Sequence, residues 1–132
     1  MIAKINNFSI NINDNITSIS YEDNLMCISL KNSPSKTIKN IEMKTFDNFR
    51  RNIIEKCNNM VFLKNNEIIN VNNILYYEVL KNKVLKKQNY ILRITLLNHG
   101  KDSVWDYAYN TELEIMMVTD LLDNAIDKTN IS

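Results

Sequence analysis

The first thirty residues alternate between apolar and polar positions. Residues 8–12 carry apolar side chains at every second position, which is the period of a half-buried strand. Residues 17–21 and 26–30 repeat this pattern. The polar segments 13–15 and 22–24 between them have the composition of turns. We therefore expect three short strands joined as an antiparallel meander.

The period changes after Pro34, because the apolar residues then recur at the spacing of a helix. These residues are Ile38, Ile41, Phe46, Phe49, Ile53 and Cys57. Either Thr37 or Thr45 could cap such a helix, so two starting points stay open. The position of Phe49 on the apolar stripe places its side chain in the core.

A second β region follows this helix. Its β-prone runs lie at 60–71, with an interruption at 65–66, and at 74–80, 90–97 and 104–111. We expect the last two runs to pair antiparallel, because the short turn at 98–102 holds the single glycine, Gly100. The basic stretch 81–88 is expected to be a hairpin connection.

A last amphipathic helix closes the chain. Its apolar stripe is predicted to contain Leu113, Met117, Leu121, Leu122, Ala125 and Ile126, so Leu121 is expected to be a core residue. The element order is then approximately β-β-β-α-β-β-β-β-α. Strands in runs with hairpin-length connections favour an antiparallel α+β fold with two helices, formed by one domain spanning residues 1–132.

Composition excludes several classes of function. Sixteen basic and fifteen acidic residues give a net charge of +1, which argues against a dedicated nucleic-acid binder. A single glycine excludes glycine-rich phosphate loops, and a single histidine, His99, excludes multi-histidine metal sites. We find no catalytic set, so we expect a non-enzymatic protein without a cofactor or metal. Cys27 and Cys57 lack zinc-site spacing, and Cys57 falls on an apolar stripe.

Three residue types dominate the chain, with 23 Asn, 19 Ile and 13 Lys. Their codons are rich in A and T, so we attribute the bias to a low-GC bacterial genome rather than to function. The sequence shows neither a secretory signal nor an apolar run of about eighteen residues. We therefore expect a cytoplasmic protein without a membrane span.

Charge is distributed unevenly along the chain. Residues 31–101 hold fourteen basic and five acidic groups, whereas residues 102–132 hold one basic and seven acidic groups. One interpretation is a basic face for an acidic partner. The other is that the basic segments face water and are partly neutralised by the acidic last helix. The sequence leaves both open.

Both faces of the second β region are substantially apolar. One face must cover a core, and the other needs its own cover, from a second sheet layer, the last helix or a protein partner. An internal sandwich and a partner-binding groove are both compatible with this pattern. If a groove is present, its partner-binding residues are predicted to be Tyr76, Ile91, Arg93, Leu97 and Tyr107. A homodimer is also left open.

The element order resembles that of the PsbP/DcrB-like α+β family. Within it, the chain is most similar to the DcrB-like chaperones of type VI secretion systems, often called Eag proteins. The similar stretches lie at residues 7–12, 67–73, 90–96 and 121–126. The chain departs from the family at 13–15, where a Pro and a Trp-Asp are usual, and at 72–73, where a Gly is usual. The resemblance implies a non-enzymatic chaperone whose sheet groove shields an apolar effector segment before export.

Three functional hypotheses follow for such a protein. The first is a chaperone or adaptor for a secreted, virulence-associated effector. The second is an immunity protein that blocks a toxin through the basic helix and the 81–87 segment. The third is a structural subunit of a larger assembly, whose exposed sheet edge pairs with a neighbour.

Overall fold

The fold is built from antiparallel strand pairs and two helices. The structure, a computed structural model, describes residues 1–84 and 87–130, except for the side chains of 82–84, 87–88 and 130. The strands are β1 (Ile2–Ile5), β2 (Phe8–Asn11), β3 (Ile16–Glu22), β4 (Leu25–Leu30), β5 (Lys36–Ile38), β6 (Met60–Leu63), β7 (Glu67–Asn70), β8 (Ile74–Val84), β9 (Lys87–Asn98) and β10 (Lys101–Tyr109), and the helices are α1 (Met43–Lys56) and α2 (Glu112–Asn130). The predicted α+β class is confirmed, and the predicted element order is broadly confirmed.

The strands form three sheets. A five-stranded sheet has the order β5-β4-β3-β7-β6, a three-stranded sheet has the order β10-β9-β8, and β1 and β2 form a separate hairpin. The predicted pairing of β9 with β10 is confirmed, with Asn98 opposite Lys101 and Tyr90 opposite Tyr109. The run at 60–71, interrupted as predicted, forms an antiparallel hairpin of β6 and β7.

Asparagine takes the place of glycine in the tight turns. Asp23-Asn24 joins β3 to β4 as a two-residue turn, whereas the three-residue loop Lys64-Asn65-Asn66 joins β6 to β7. Asp23, Asn24, Asn65 and Asn66 all have positive φ, between 49° and 63°. A two-residue hairpin turn with both φ values positive is a type I′ turn, which Asn and Gly favour. His99-Gly100 makes the corresponding turn between β9 and β10, with φ values of 53° and 79°. The Asn-rich composition therefore has a structural use that the codon argument missed.

Two hydrophobic cores share the strands β6 and β7 as a wall. The first core contains Ile68 and Met60 and is closed by α1 through Phe46, Phe49 and Ile53. The second core takes the next residues along the same strands, such as Ile69 and Val61, and is closed by the three-stranded sheet and α2. Side chains alternate along a strand, so adjacent isoleucines can serve opposite cores.

The N-terminal β region differs from the predicted meander. Strand β2 pairs with β1 rather than with β3, and residues 2–5 were not expected to form a strand. A fifth strand, β5, pairs with β4 in the segment that was assigned to the helix. Both missed strands are only three or four residues long, which is too short for periodicity to reveal them.

Helix α1 begins later than the apolar spacing suggested. Ile38 lies in β5 and Ile41 is buried ahead of the helix, which starts at Met43. The N-cap is Glu42, whose side chain makes no capping hydrogen bond, so neither predicted threonine caps the helix. Phe49 is 3% exposed, as expected for a core residue.

The segment predicted as a hairpin connection is mostly strand. Strand β8 continues to Val84 and β9 begins at Lys87, so pairing extends through much of the stretch 81–88. Residues 85 and 86, at its centre, lie outside the described residues. No helix in the described part of the chain is long and apolar enough to cross a membrane.

Helix α2 buries a different stripe from the predicted one. Thr111 caps the helix, because its hydroxyl accepts a hydrogen bond from the backbone N–H of Glu114 at 3.2 Å. Leu122 is fully buried, but Leu121 is 46% exposed, so the prediction that Leu121 is a core residue is wrong. Leu113 and Met117 are also exposed, at 67% and 64%. The helix carries apolar residues around most of its circumference, and its periodicity does not show which stripe faces the core.

The adjacent leucines of α2 provide a matched test of this assignment. Leu122→Ala should lower the free energy of unfolding by about 2–5 kcal/mol, because it leaves a cavity in the second core. Leu121→Ala should cost less than about 1 kcal/mol, because its side chain is already half exposed. Equilibrium urea denaturation of both variants measures the difference. Equal losses would show that α2 is rotated from the position described.

Candidate functional site

One face of the three-stranded sheet is open. Leu92, Ile94 and Leu96 of β9 point toward the second core and α2, whereas the intervening residues point away from them. We call this second side the outer face. Its residues form three rows across the sheet, Tyr76-Thr95-Val104, Glu78-Arg93-Asp106 and Leu80-Ile91-Ala108. The side chains on β8 and β10 in these rows are exposed, apart from the partly buried Leu80, whereas on β9 Ile91 and Arg93 are partly buried and Thr95 is buried.

The first row presents two large exposed apolar side chains. Tyr76 is 61% exposed and Val104 is 57% exposed, with the small, buried Thr95 between them. The Tyr76 side chain follows a register shift between Ile74 and Tyr76, where β8 is irregular opposite β9. Large exposed apolar side chains on one face of a sheet are typical of an interaction surface.

The middle row is ionic. Arg93 donates two hydrogen bonds to Asp106, from Nε to Oδ1 and from Nη2 to Oδ2, each 2.9 Å long. This bidentate pairing lowers the pKa of Asp106, and together with Glu78 it raises the pKa of Arg93. Because the pair is solvent-exposed, it contributes little to stability but fixes the guanidinium plane on the sheet. The row thus holds one cation between two carboxylates.

The third row is apolar again, with Leu80 and Ile91 partly buried beside Ala108. Successive rows on one face of a sheet lie about 7 Å apart, since they are separated by two residues. The outer face therefore presents an ionic stripe between two apolar stripes. Such a surface can bind a protein segment that buries apolar groups on both sides of one polar contact.

Four of the five predicted partner-binding residues lie on the outer face. Tyr76, Ile91 and Arg93 belong to the three rows. Leu97 lies on the same face beyond the first row, opposite Asp102. The fifth, Tyr107, points the other way. It is opposite Leu92, is 3% exposed, and belongs to the second core.

The residues that sequence reasoning missed are the outer-face neighbours on β8 and β10. The signal for Val104 and Asp106 was present, because they alternate with Trp105 and Tyr107 along the strand and therefore point to the opposite face. Their exposure could not be inferred from alternation alone, because it requires knowing which face α2 covers.

Tyr107 links the two larger sheets through a carboxylate. Its hydroxyl donates a hydrogen bond to Glu67 of β7. Burial raises the pKa of Glu67, although the hydrogen bond from Tyr107 partly offsets this. Burial, together with the Glu67 charge, raises the pKa of Tyr107 well above its usual range. Glu67 also lines an open, polar cavity of about 590 Å³ with Ser20, Tyr21 and Glu22.

The remaining nucleophilic and titratable candidates have structural surroundings. The His99 ring lies 2.8 Å from the carbonyl oxygen of Ser33 and 3.2 Å from the hydroxyl of Ser35. These contacts hold the β9–β10 turn against the loop after β4. Burial raises the pKa of the Cys57 thiol, opposed by the nearby N-terminal charge, and its Sγ lies 3.2 Å from Met1 Sδ. A thiol with a raised pKa is a weak nucleophile at neutral pH.

The described residues contain no group of three or more His, Cys, Asp or Glu side chains placed to hold an ion. The outer face combines exposed apolar side chains with an ion pair, which suits protein binding.

Comparisons with known proteins give no relative for this chain. No protein-family model matches it, and no curated protein or solved structure matches it either. The resemblance to the PsbP/DcrB-like family and its Eag chaperones therefore stays a prediction.

The buried carboxyl of Glu67 generates a pH-dependent prediction. Because its pKa is raised in the folded protein, folding favours the protonated form, and stability from this group is lost as the pH rises through the folded pKa. Glu67→Gln removes this loss and keeps an oxygen that can accept from Tyr107. The variant should melt at a higher temperature than the wild type at neutral pH, with the difference shrinking below the ordinary carboxyl range.

Glu22→Gln provides the control for this experiment. Glu22 lines the same cavity but is exposed at the end of β3. Thermal melts from acidic to neutral pH should show no pH-dependent difference between this control and the wild type. A neutral-pH loss of stability in Glu67→Gln would show that the charged hydrogen bond outweighs the burial of the carboxylate.

Proposed function

We propose that this chain is a non-enzymatic binding protein that acts as a chaperone or adaptor for a secreted effector, as in type VI-like secretion. The observation that carries the proposal is the outer face of the three-stranded sheet, which combines exposed apolar side chains with a fixed ion pair. A partner that covered this face would bury Tyr76 and Val104, which are more than half exposed in the chain alone.

The anchors of the proposed interface have the chemistry of interaction hot spots. Binding energy concentrates in a few large side chains, with Tyr, Trp and Arg enriched among them. Tyr76 and Arg93 stand in neighbouring rows of the outer face. The partner segment is expected to be apolar where it meets the first and third rows.

The ionic row would determine how a partner segment is oriented on the outer face. Arg93 is already paired with Asp106, so it needs no carboxylate from the partner. Glu78 stands on the other side of Arg93 and has no such bidentate partner among the described side chains. A partner segment that places a hydrogen-bond donor or a cation near Glu78 would be oriented by it.

The rigidity of the sheet supports a chaperone-like role. Strand β9 is central, paired over its length with β8 and β10, and its inner face is buried in the second core. A preformed face of this kind costs little conformational entropy when it binds. It can therefore cover an apolar segment of a client without refolding.

The test of this function uses proteins encoded beside the gene for this chain, each co-expressed with it. The expected result is a stable complex with one of them, an effector that aggregates when produced alone. Tyr76→Ala should weaken this complex by about 1–4 kcal/mol, measured by isothermal titration calorimetry.

Phe8→Ala is the matched control for Tyr76→Ala. Phe8 is an aromatic residue that is 49% exposed on the separate β1–β2 hairpin. Its replacement should leave partner affinity unchanged, and thermal melts should show both variants folded. A folded Tyr76→Ala variant with wild-type affinity would place the interface elsewhere. A complex that inhibits an enzymatic toxin would identify an immunity protein instead.

A further inference from the structure

Helix α2 presents a second apolar surface, on the opposite side of the three-stranded sheet from the outer face. Leu113, Met117 and Leu121 recur at intervals of four residues and point away from the core, with exposures of 67%, 64% and 46%. Met116 lies beside them and is 54% exposed. We call these four residues the α2 stripe. Side chains at this spacing form a ridge that can pack against another helix.

A small apolar pocket adjoins the α2 stripe. It has a volume of about 160 Å³ and lies between β8 and the first turns of α2. Val79, Tyr90 and Ile115 form its apolar lining, and Met116 belongs both to the pocket and to the stripe. The pocket is large enough to take one apolar side chain from a segment that lies along the stripe.

Carboxylates surround this surface. Helix α2 carries Glu112, Glu114, Asp120, Asp123 and Asp127 against a single Lys128. None of the five acids forms an ion pair with a side chain that the structure describes. Asp123 accepts a hydrogen bond from Tyr77, which leaves its charge unneutralised. The surface is therefore apolar along its centre and negative at its margins.

The negative charge around the stripe favours a positively charged partner. A second copy that packed its own α2 stripe here would bring two sets of five carboxylates together, which is unfavourable. A cationic segment would instead gain favourable contacts with the same carboxylates. We propose that the α2 stripe and its pocket bind a basic amphipathic helix of a protein partner, with apolar residues on the stripe and Lys or Arg over the acids.

The proposal can be tested with a defined peptide probe. A fluorescent peptide of about 18 residues, five helical turns, carries Leu on one face and Lys on the other. A companion peptide replaces every Lys with Glu. Fluorescence anisotropy should show that the Leu/Lys peptide binds the full chain at least tenfold more tightly than the Leu/Glu peptide, and less tightly at high salt.

Variants of the chain separate the stripe from the rest of the surface. Leu113→Gln and Met117→Gln keep good helix formers at exposed positions and should each weaken Leu/Lys peptide binding at least fivefold. Asp120→Asn should weaken it and reduce its salt dependence. Tyr76→Ala, on the outer face, should leave it unchanged, so this surface and the proposed effector interface can fail independently.

Three outcomes would overturn the proposal. The first is peptide binding that is unaffected by Leu113→Gln and Met117→Gln, because the Leu/Lys peptide would then be bound by negative charge alone. The second is equal affinity for the Leu/Glu peptide. The third is a dimer in analytical ultracentrifugation that Met117→Gln dissociates, because the stripe would then be covered by a second copy of the chain.

Discussion

The architecture depends on one strand that faces two cores. In β7, Ile68 and Ile69 are both fully buried, although their side chains leave the strand on opposite sides. Its neighbour β6 behaves in the same way through Met60 and Val61. A one-residue slip of this hairpin would exchange every side chain between the two cores. The register of this hairpin, joined by the 64–66 turn, therefore determines which side chains face α1 and which face α2.

A buried asparagine cluster anchors the same strand to the rest of the sheet. The Asn70 side chain is fully buried and donates to the carbonyl oxygen of Ile16 at 3.0 Å and to Asp14 Oδ1 at 3.2 Å. Asn73 donates to the carbonyl oxygens of Asp14 and Ile16. These bonds satisfy backbone carbonyls near the β3 bulge, where regular pairing is interrupted. Asn70 also accepts from the backbone N–H of Asn72, which begins the 3-10 turn leading to β8.

The sequence predicted the parts of the fold that local patterns specify. The β9–β10 hairpin followed from two β-prone runs around the only glycine, and the two halves of the 60–71 hairpin followed from a polar interruption. The short strands β1 and β5 were missed, because strands of three or four residues have too few positions to show a period. Their pairing is decided by distant strands, not by their own residues.

The prediction of which side of α2 is buried was the larger error, and it has a physical cause. Ile115, Leu122 and Ala125 face the core while Leu113, Met117 and Leu121 face away, so large apolar residues lie on both sides of the helix. The exposed side also carries the acidic residues of α2, but its apolar residues still compete with the buried ones, so the hydrophobic pattern does not specify a single buried stripe. The choice between Leu121 and Leu122 is made by contact with β6 and β9, which lie far away in sequence. The prediction that Tyr107 binds a partner was wrong for a related reason. Alternation along β10 shows which residues share a face of the sheet, but it does not show which face is buried.

The unburied half of α2 and the outer face share one cause. The three-stranded sheet and α2 each contribute only one side to the second core, which they share with β6 and β7. Apolar residues on the sides that face away from this core stay exposed. These residues are Tyr76 and Val104 on the sheet and Leu113 and Met117 on α2. The outer face and the α2 stripe lie on opposite sides of the three-stranded sheet, so a partner on one surface would leave the other accessible.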